Sequence, residues 1–217
     1  MPLTSPVTRR AALALALAAA AGPALAVPTT ARRPRIVTLL GDSITAGYGL
    51  PAAQALPARL QAELTRLGAA VQVRGAGVSG DTSANGLARV NFSVQAGTDL
   101  CIVALGGNDL LQGLDVAATQ GNLIHIVESL KRRHIAVLLV GVVAPPAIGG
   151  GYARDFNALF AHVARAEAVP LYPNLLAGVG QNPRLNQRDG IHPNPQGVVI
   201  IAQRLAPAVL RALPAPR

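Results

Sequence analysis

Three short, widely spaced runs hold the residues that can do chemistry: Gly41-Asp42-Ser43, Gly106-Gly107-Asn108-Asp109 and Asp189-Gly190-Ile191-His192. Together they supply a hydroxyl nucleophile, a side-chain amide donor, and an acid with an imidazole three residues on. That set suits acyl transfer through a covalent ester on a serine. His192 can take the Ser43 proton and return it to a leaving group. Asp189 can hold the other imidazole nitrogen, fixing the tautomer and stabilising the imidazolium. The Ser43 amide at a helix start, the Asn108 side chain and an unhindered backbone N–H at Gly80 can meet an oxyanion. Asp42, next to Ser43, is expected to point away from it and tie down the turn.

Each residue taken alone has an ordinary alternative. Gly-Asp-Ser also describes a serine capping a helix, Asn108 a turn asparagine, and His192 a surface loop histidine. The acid three positions before His192 weakens the last of these. His125, His134 and His162 lie in or beside helical segments without the spacing of a metal cluster and read as structural. Cys101, the single cysteine, sits in the apolar run Leu100–Leu105 and is expected to be an inert core residue.

The elements that must position these residues follow from the apolar pattern. Short apolar runs at Arg35–Leu40, Val71–Val73, Asp99–Leu105, Ile135–Val143 and Val169–Tyr172 read as buried strands. Helical spacing appears at Pro57–Leu67, from Asp81 or Thr82 to about Gln95, and at about 117–133 and 152–168. A terminal helix opens at Asn194 or Pro195. Ile148–Gly151 reads as a loop. Alternating strands and helices imply an α/β fold, a parallel, right-handed, doubly wound sheet. Ligands bind such sheets beyond the carboxyl ends of the strands. Ser43, Gly80, Asn108, Asp189 and His192 all fall there, so distant runs are expected to meet on one rim.

The chain has 217 residues, 51% of them hydrophobic and only 13% charged, which suits one folded domain and excludes disorder for the bulk of it. Aromatic residues make up 3%, too few for a base-stacking surface, so no nucleic-acid partner is expected. The net charge of +9 comes from scattered arginines rather than a basic stripe and reads as a solvated face. Residues 1–26 resemble an export signal: Arg9-Arg10, an apolar run too short to span a bilayer, and an Ala24-Leu25-Ala26 cleavage site. Residues 27–34 read as a linker and 35–217 as a single domain, expected to be a periplasmic or secreted monomer with no membrane segment after the signal is removed.

Four blocks in this order resemble the SGNH, or GDSL, hydrolases: 41–49 beginning Gly-Asp-Ser, 78–83 (Val-Ser-Gly-Asp-Thr-Ser), 105–109 (Leu-Gly-Gly-Asn-Asp) and 189–194 (Asp-Gly-Ile-His-Pro-Asn). They span nearly the whole chain beyond the signal. The resemblance implies a three-layer α/β/α sandwich with a five-stranded parallel sheet, flavodoxin-like. It implies Ser43 as nucleophile, Asp189 and His192 as its partners, and an oxyanion hole of Ser43, Gly80 and Asn108. No metal or cofactor is implied. The segment Asp109–Leu114 corresponds to a substrate-contacting loop, with Asp109, Leu110, Leu111 and Leu114 as contacts, and Pro146 belongs to a second pocket edge.

The implied activity is hydrolysis of carboxylic esters and acyl thioesters, lysophospholipids and aryl esters included. The implied partner is a small-molecule or lipid acyl ester. Alternatives are deacetylation of carbohydrate esters, which the wider family performs, and non-catalytic acyl binding on the same scaffold.

Overall fold

A computed structural model describes residues 33–215, together with Met1. The expected export signal and most of the linker lie outside the described residues.

The chain from Arg33 onward alternates strands with helices. The order is β1 (Arg35–Gly41), α1 (Ser43–Ala46), α2 (Leu56–Arg66), β2 (Val71–Gly77), α3 (Ser83–Ser93), β3 (Leu100–Ala104), α4 (Gly107–Leu111), α5 (Val116–Arg132), β4 (Ala136–Val140), α6 (Gly150–Ala166), β5 (Leu171–Tyr172) and α7 (Pro195–Ala212). The strands form one five-stranded sheet of order β2-β1-β3-β4-β5, every pairing parallel. Strand order reverses between β1 and β3, and a crevice opens at such a point beyond the carboxyl ends.

Side-chain alternation along the strands separates two cores. Val37 and Leu39 of β1, Leu100 and Ile102 of β3, and Leu138 and Val140 of β4 pack with Leu60 of α2 and Ile201 and Leu205 of α7. Leu40, Cys101, Val103, Val137 and Leu139 face the other way, against Leu123 and Ile126 of α5 and Phe156 and Phe160 of α6. The result is a helix–sheet–helix sandwich.

Strands β2, β4 and β5 and the segment Ile148–Gly151 differ from the sequence expectation. Strand β2 continues to Gly77 because Arg74, Gly75 and Ala76 pair with Thr38, Leu39 and Leu40, although they carry no apolar run. Strand β4 stops at Val140 and β5 has only two residues, flanked by Pro170 and Pro173, neither of which has an N–H for a ladder. Of the expected loop at Ile148–Gly151, Ile148 closes a short 3-10 turn, Pro146–Ile148, Gly149 is the N-cap, and Gly150 and Gly151 already belong to α6. No helix among the described residues is long and apolar enough to cross a membrane.

Candidate active site

Ser43 is the first residue of α1, directly beyond the end of β1. The turn that carries it is held by Asp42, whose Oδ1 accepts from the Ile44 amide at 3.0 Å. Its tightness depends on glycine at the paired strand ends: a Cβ on Gly77 would lie 2.4 Å from the Ala46 nitrogen, too close for any side chain. Asp42 is only 6% exposed. Burial pushes its carboxyl up to about 6, while the Ile44 N–H and the nearby His192 pull in the opposite direction.

The loop before α7 carries the other two groups. Asn186 bridges to Pro193, and the Gln187 amide donates to the His192 carbonyl at 2.7 Å. The Gln187 side chain donates to the Tyr48 carbonyl at 2.8 Å, fastening this loop to the one after α1. At the tip, Asp189 Oδ1 accepts from the amides of Ile191 (2.9 Å) and His192 (3.0 Å). Its Oδ2 meets His192 Nδ1 at 2.7 Å. His192 Nε2 lies 2.8 Å from Ser43 Oγ. Since a carboxylate only accepts, Nδ1 carries hydrogen and Nε2 is left to accept from the serine. The His192 hydrogen bond, followed by the two amides, holds the Asp189 carboxyl down at about 2. It therefore stays ionised opposite the imidazole throughout the neutral range. Tyr48 packs its ring 4.6 Å, centroid to centroid, from that of His192.

Gly80 and Asn108 stand beyond the neighbouring strands. The Val78 amide donates to the Gly41 carbonyl at 3.1 Å, turning the chain after β2 alongside the Ser43 turn. Gly80 has φ +88°, a left-handed conformation, and open space where a side chain would be. Asn108, in the first turn of α4, donates one Nδ2 hydrogen to the Asp81 carbonyl at 2.9 Å. An amide carries two such hydrogens, so one remains.

A cavity of about 450 Å³ opens beside Ser43 and Asn108. Its walls include Ile44, Leu110, Leu111, Val142, Val143, Pro145, Leu176 and Ile191, with amide groups at Asn174 and Gln181. Leu110 and Leu111 therefore line it. Two other expected contacts do not. Asp109 is 1% exposed, and its carboxylate accepts from the Ser83 amide (2.8 Å), the Ser83 hydroxyl (2.5 Å) and the Thr119 hydroxyl (3.2 Å). Helical backbone at Gly107–Leu111, overlapping the loop expected at Asp109–Leu114, turns Asp109 inward to lock α4 against α3 and α5. Leu114 lies past the end of that helix, off the cavity, its carbonyl accepting from the Tyr152 hydroxyl at 2.8 Å. Of Pro146 only the backbone is described, opening the 3-10 turn. His125, His134 and His162 are exposed on or beside α5 and α6. The wall from Asn174 to Gln181 escapes sequence reasoning because that stretch has neither apolar period nor motif.

The profile of the GDSL-like Lipase/Acylhydrolase family matches residues 39–199, most of the chain. The chain belongs to this family. The esterase TesA of Pseudomonas aeruginosa is 37% identical over 171 residues, covering 78% of this chain and 85% of that protein. The thioesterase 1/protease 1/lysophospholipase L1 of Escherichia coli K12 is 36% identical over 169 residues, covering 77% of this chain and 80% of the relative. Among solved structures, the crystal structure of TesA superposes with a TM-score of 0.78 at 35% identity, covering 82% of this chain and all of that one. As a GDSL hydrolase with relatives named for esterase and thioesterase activity, the protein is an ester-hydrolysing enzyme.

Proposed function

We propose that this GDSL hydrolase is an exported serine esterase that cleaves carboxylic esters and acyl thioesters, lysophospholipids included, through an acyl-enzyme on Ser43. The observation that carries the reading is the 2.8 Å contact between Ser43 Oγ and His192 Nε2, with Asp189 on the far side of the imidazole.

In the acylation step Ser43 Oγ attacks the substrate carbonyl as His192 Nε2 takes its proton. The negative oxygen of the tetrahedral intermediate is met by the Ser43 and Gly80 amides and the remaining Asn108 Nδ2 hydrogen. The imidazolium, balanced by ionised Asp189, protonates the departing alcohol or thiol. Water then attacks the acyl-serine with His192 again as base, releasing acid and free enzyme. Asp42 takes no proton in this sequence. It is committed to the turn.

The apolar walls of the cavity favour an acyl chain over an acetylated sugar, whose hydroxyls would find only Asn174 and Gln181 as added side-chain partners. A panel of short and medium acyl esters, an acyl thioester and an acetylated sugar tests this. Octanoyl esters and thioesters are expected to turn over well above the acetylated sugar, and Ser43→Ala to lower turnover by about 10⁴-fold or more. Turnover near the wild-type rate in that variant would dismiss Ser43. For export, expression of the full chain in a bacterial host is expected to yield periplasmic protein beginning at Val27; intact Met1 in the cytosol would overturn that part.

A further inference from the structure

The three groups proposed to meet the oxyanion sit beyond three different strands, and one side chain ties their supports together. Arg89 of α3 has a side chain only 18% exposed. Its Nη2 donates to the Gly41 carbonyl at 2.9 Å, two residues before Ser43. Its Nη1 donates to the Ala76 carbonyl near the end of β2 and to the Ser93 hydroxyl, both at 2.9 Å. Its Nε donates to the Asp81 carboxylate, the residue immediately after Gly80. The Asp81 carbonyl in turn accepts the Asn108 amide at 2.9 Å.

Resting on the esterase reading above, we infer that Arg89 is a positioning residue for the oxyanion hole, holding the Ser43, Gly80 and Asn108 donors at one point. Four of the five N–H groups of the guanidinium are taken by these protein acceptors, so Arg89 does not reach substrate. Its charge is paired with Asp81 and its N–H groups are committed to protein acceptors, so its action is geometric. The Gly80 turn needs such support: its left-handed glycine has no side chain to pack, and Asp81 is the neighbour anchored at both carboxylate and carbonyl. Lysine has one nitrogen and no fork, and it cannot span the Gly41, Ala76 and Asp81 acceptors together.

The test is Arg89→Lys, assayed on a soluble short-chain ester with functional sites counted by fluorophosphonate titration. A purely structural role would lower the fraction of titratable sites and leave kcat per site at the wild-type value. The positioning role predicts a kcat per site lower by roughly 10- to 100-fold, less than the about 10²–10³ lost on deleting a donor outright, with KM little changed. It also predicts that millimolar methylguanidinium partly restores kcat in Arg89→Ala. Wild-type kcat per site in Arg89→Lys would overturn the inference while leaving Ser43-dependent hydrolysis intact. Turnover near the wild-type rate in Ser43→Ala would instead overturn the esterase reading and this inference with it. Should Arg89→Lys fail to fold, Asp81→Asn carries the same expectation, and wild-type kcat per site in that variant overturns the inference equally.

Discussion

His192 Nε2 stands 2.8 Å from Ser43 Oγ although the two residues are 149 positions apart in the chain. Groups that act as one unit lose their effect together. Ser43→Ala and His192→Ala are each expected to lower kcat by about 10⁴- to 10⁶-fold, and the double variant by no more than the worse single one. Steady-state kinetics on an activated ester measure this. Losses that multiply in the double variant would mean that the two side chains act separately.

Asn108 divides its amide between structure and chemistry. One hydrogen goes to the Asp81 carbonyl, and the other is assigned to the oxyanion. Asn108→Ala is expected to reduce kcat by about 10²- to 10³-fold with little change in KM. A rise in KM at constant kcat would show that Asn108 holds the ground-state substrate instead.

Two carboxyl groups near Ser43 make opposite contributions to the pH dependence of stability. Asp189 is depressed from 3.8 to about 2, chiefly by its hydrogen bond to His192. It stabilises the fold above pH 3.8, and that contribution disappears as pH falls through 2. Asp42 is raised from 3.8 to about 6 by burial. Its contribution is complete below pH 3.8 and is lost as pH rises through 6, on the order of 3 kcal/mol for a shift of this size. Asp42→Asn keeps an oxygen for the Ile44 amide and carries no charge. Urea unfolding at pH 4.5 and 7.5 is expected to show the variant gaining on wild type at the higher pH. A constant difference between the two would rule out the buried charge as the cause.

Cys101 is fully buried in β3, and burial pushes its thiol up to about 12. Native protein is therefore expected to resist a disulfide reagent that titrates one thiol after unfolding. Rapid labelling of folded protein would contradict the packing of β3.

The site is most legible where several short runs, each ambiguous alone, point to the same chemistry. Glycine, aspartate and serine at the end of an apolar run mark the Ser43 turn, and an acid three residues before a loop histidine marks the second half of the site. The buried strands and long helices are legible because their apolar residues repeat at 2.0 or 3.6. The motif suggests Asp109 as a substrate contact but says nothing of whether α4 is helical, and that helix turns the carboxylate toward Ser83 and Thr119. The cavity wall at Asn174–Gln181 and the span of Arg89 across two strand ends and the Gly80 turn arise only from tertiary packing. No local pattern encodes them. The strand character of Arg74–Gly77 is likewise set by the partner β1, not by propensity.

Peptide mapping by mass spectrometry after exposure to a fluorophosphonate asks whether Ser43 is the nucleophile that His192 activates. A single adduct on Ser43 is expected in the wild type, with labelling slowed by orders of magnitude in His192→Ala. An adduct on another residue, or equal labelling of Ser43 without the imidazole, would contradict the account.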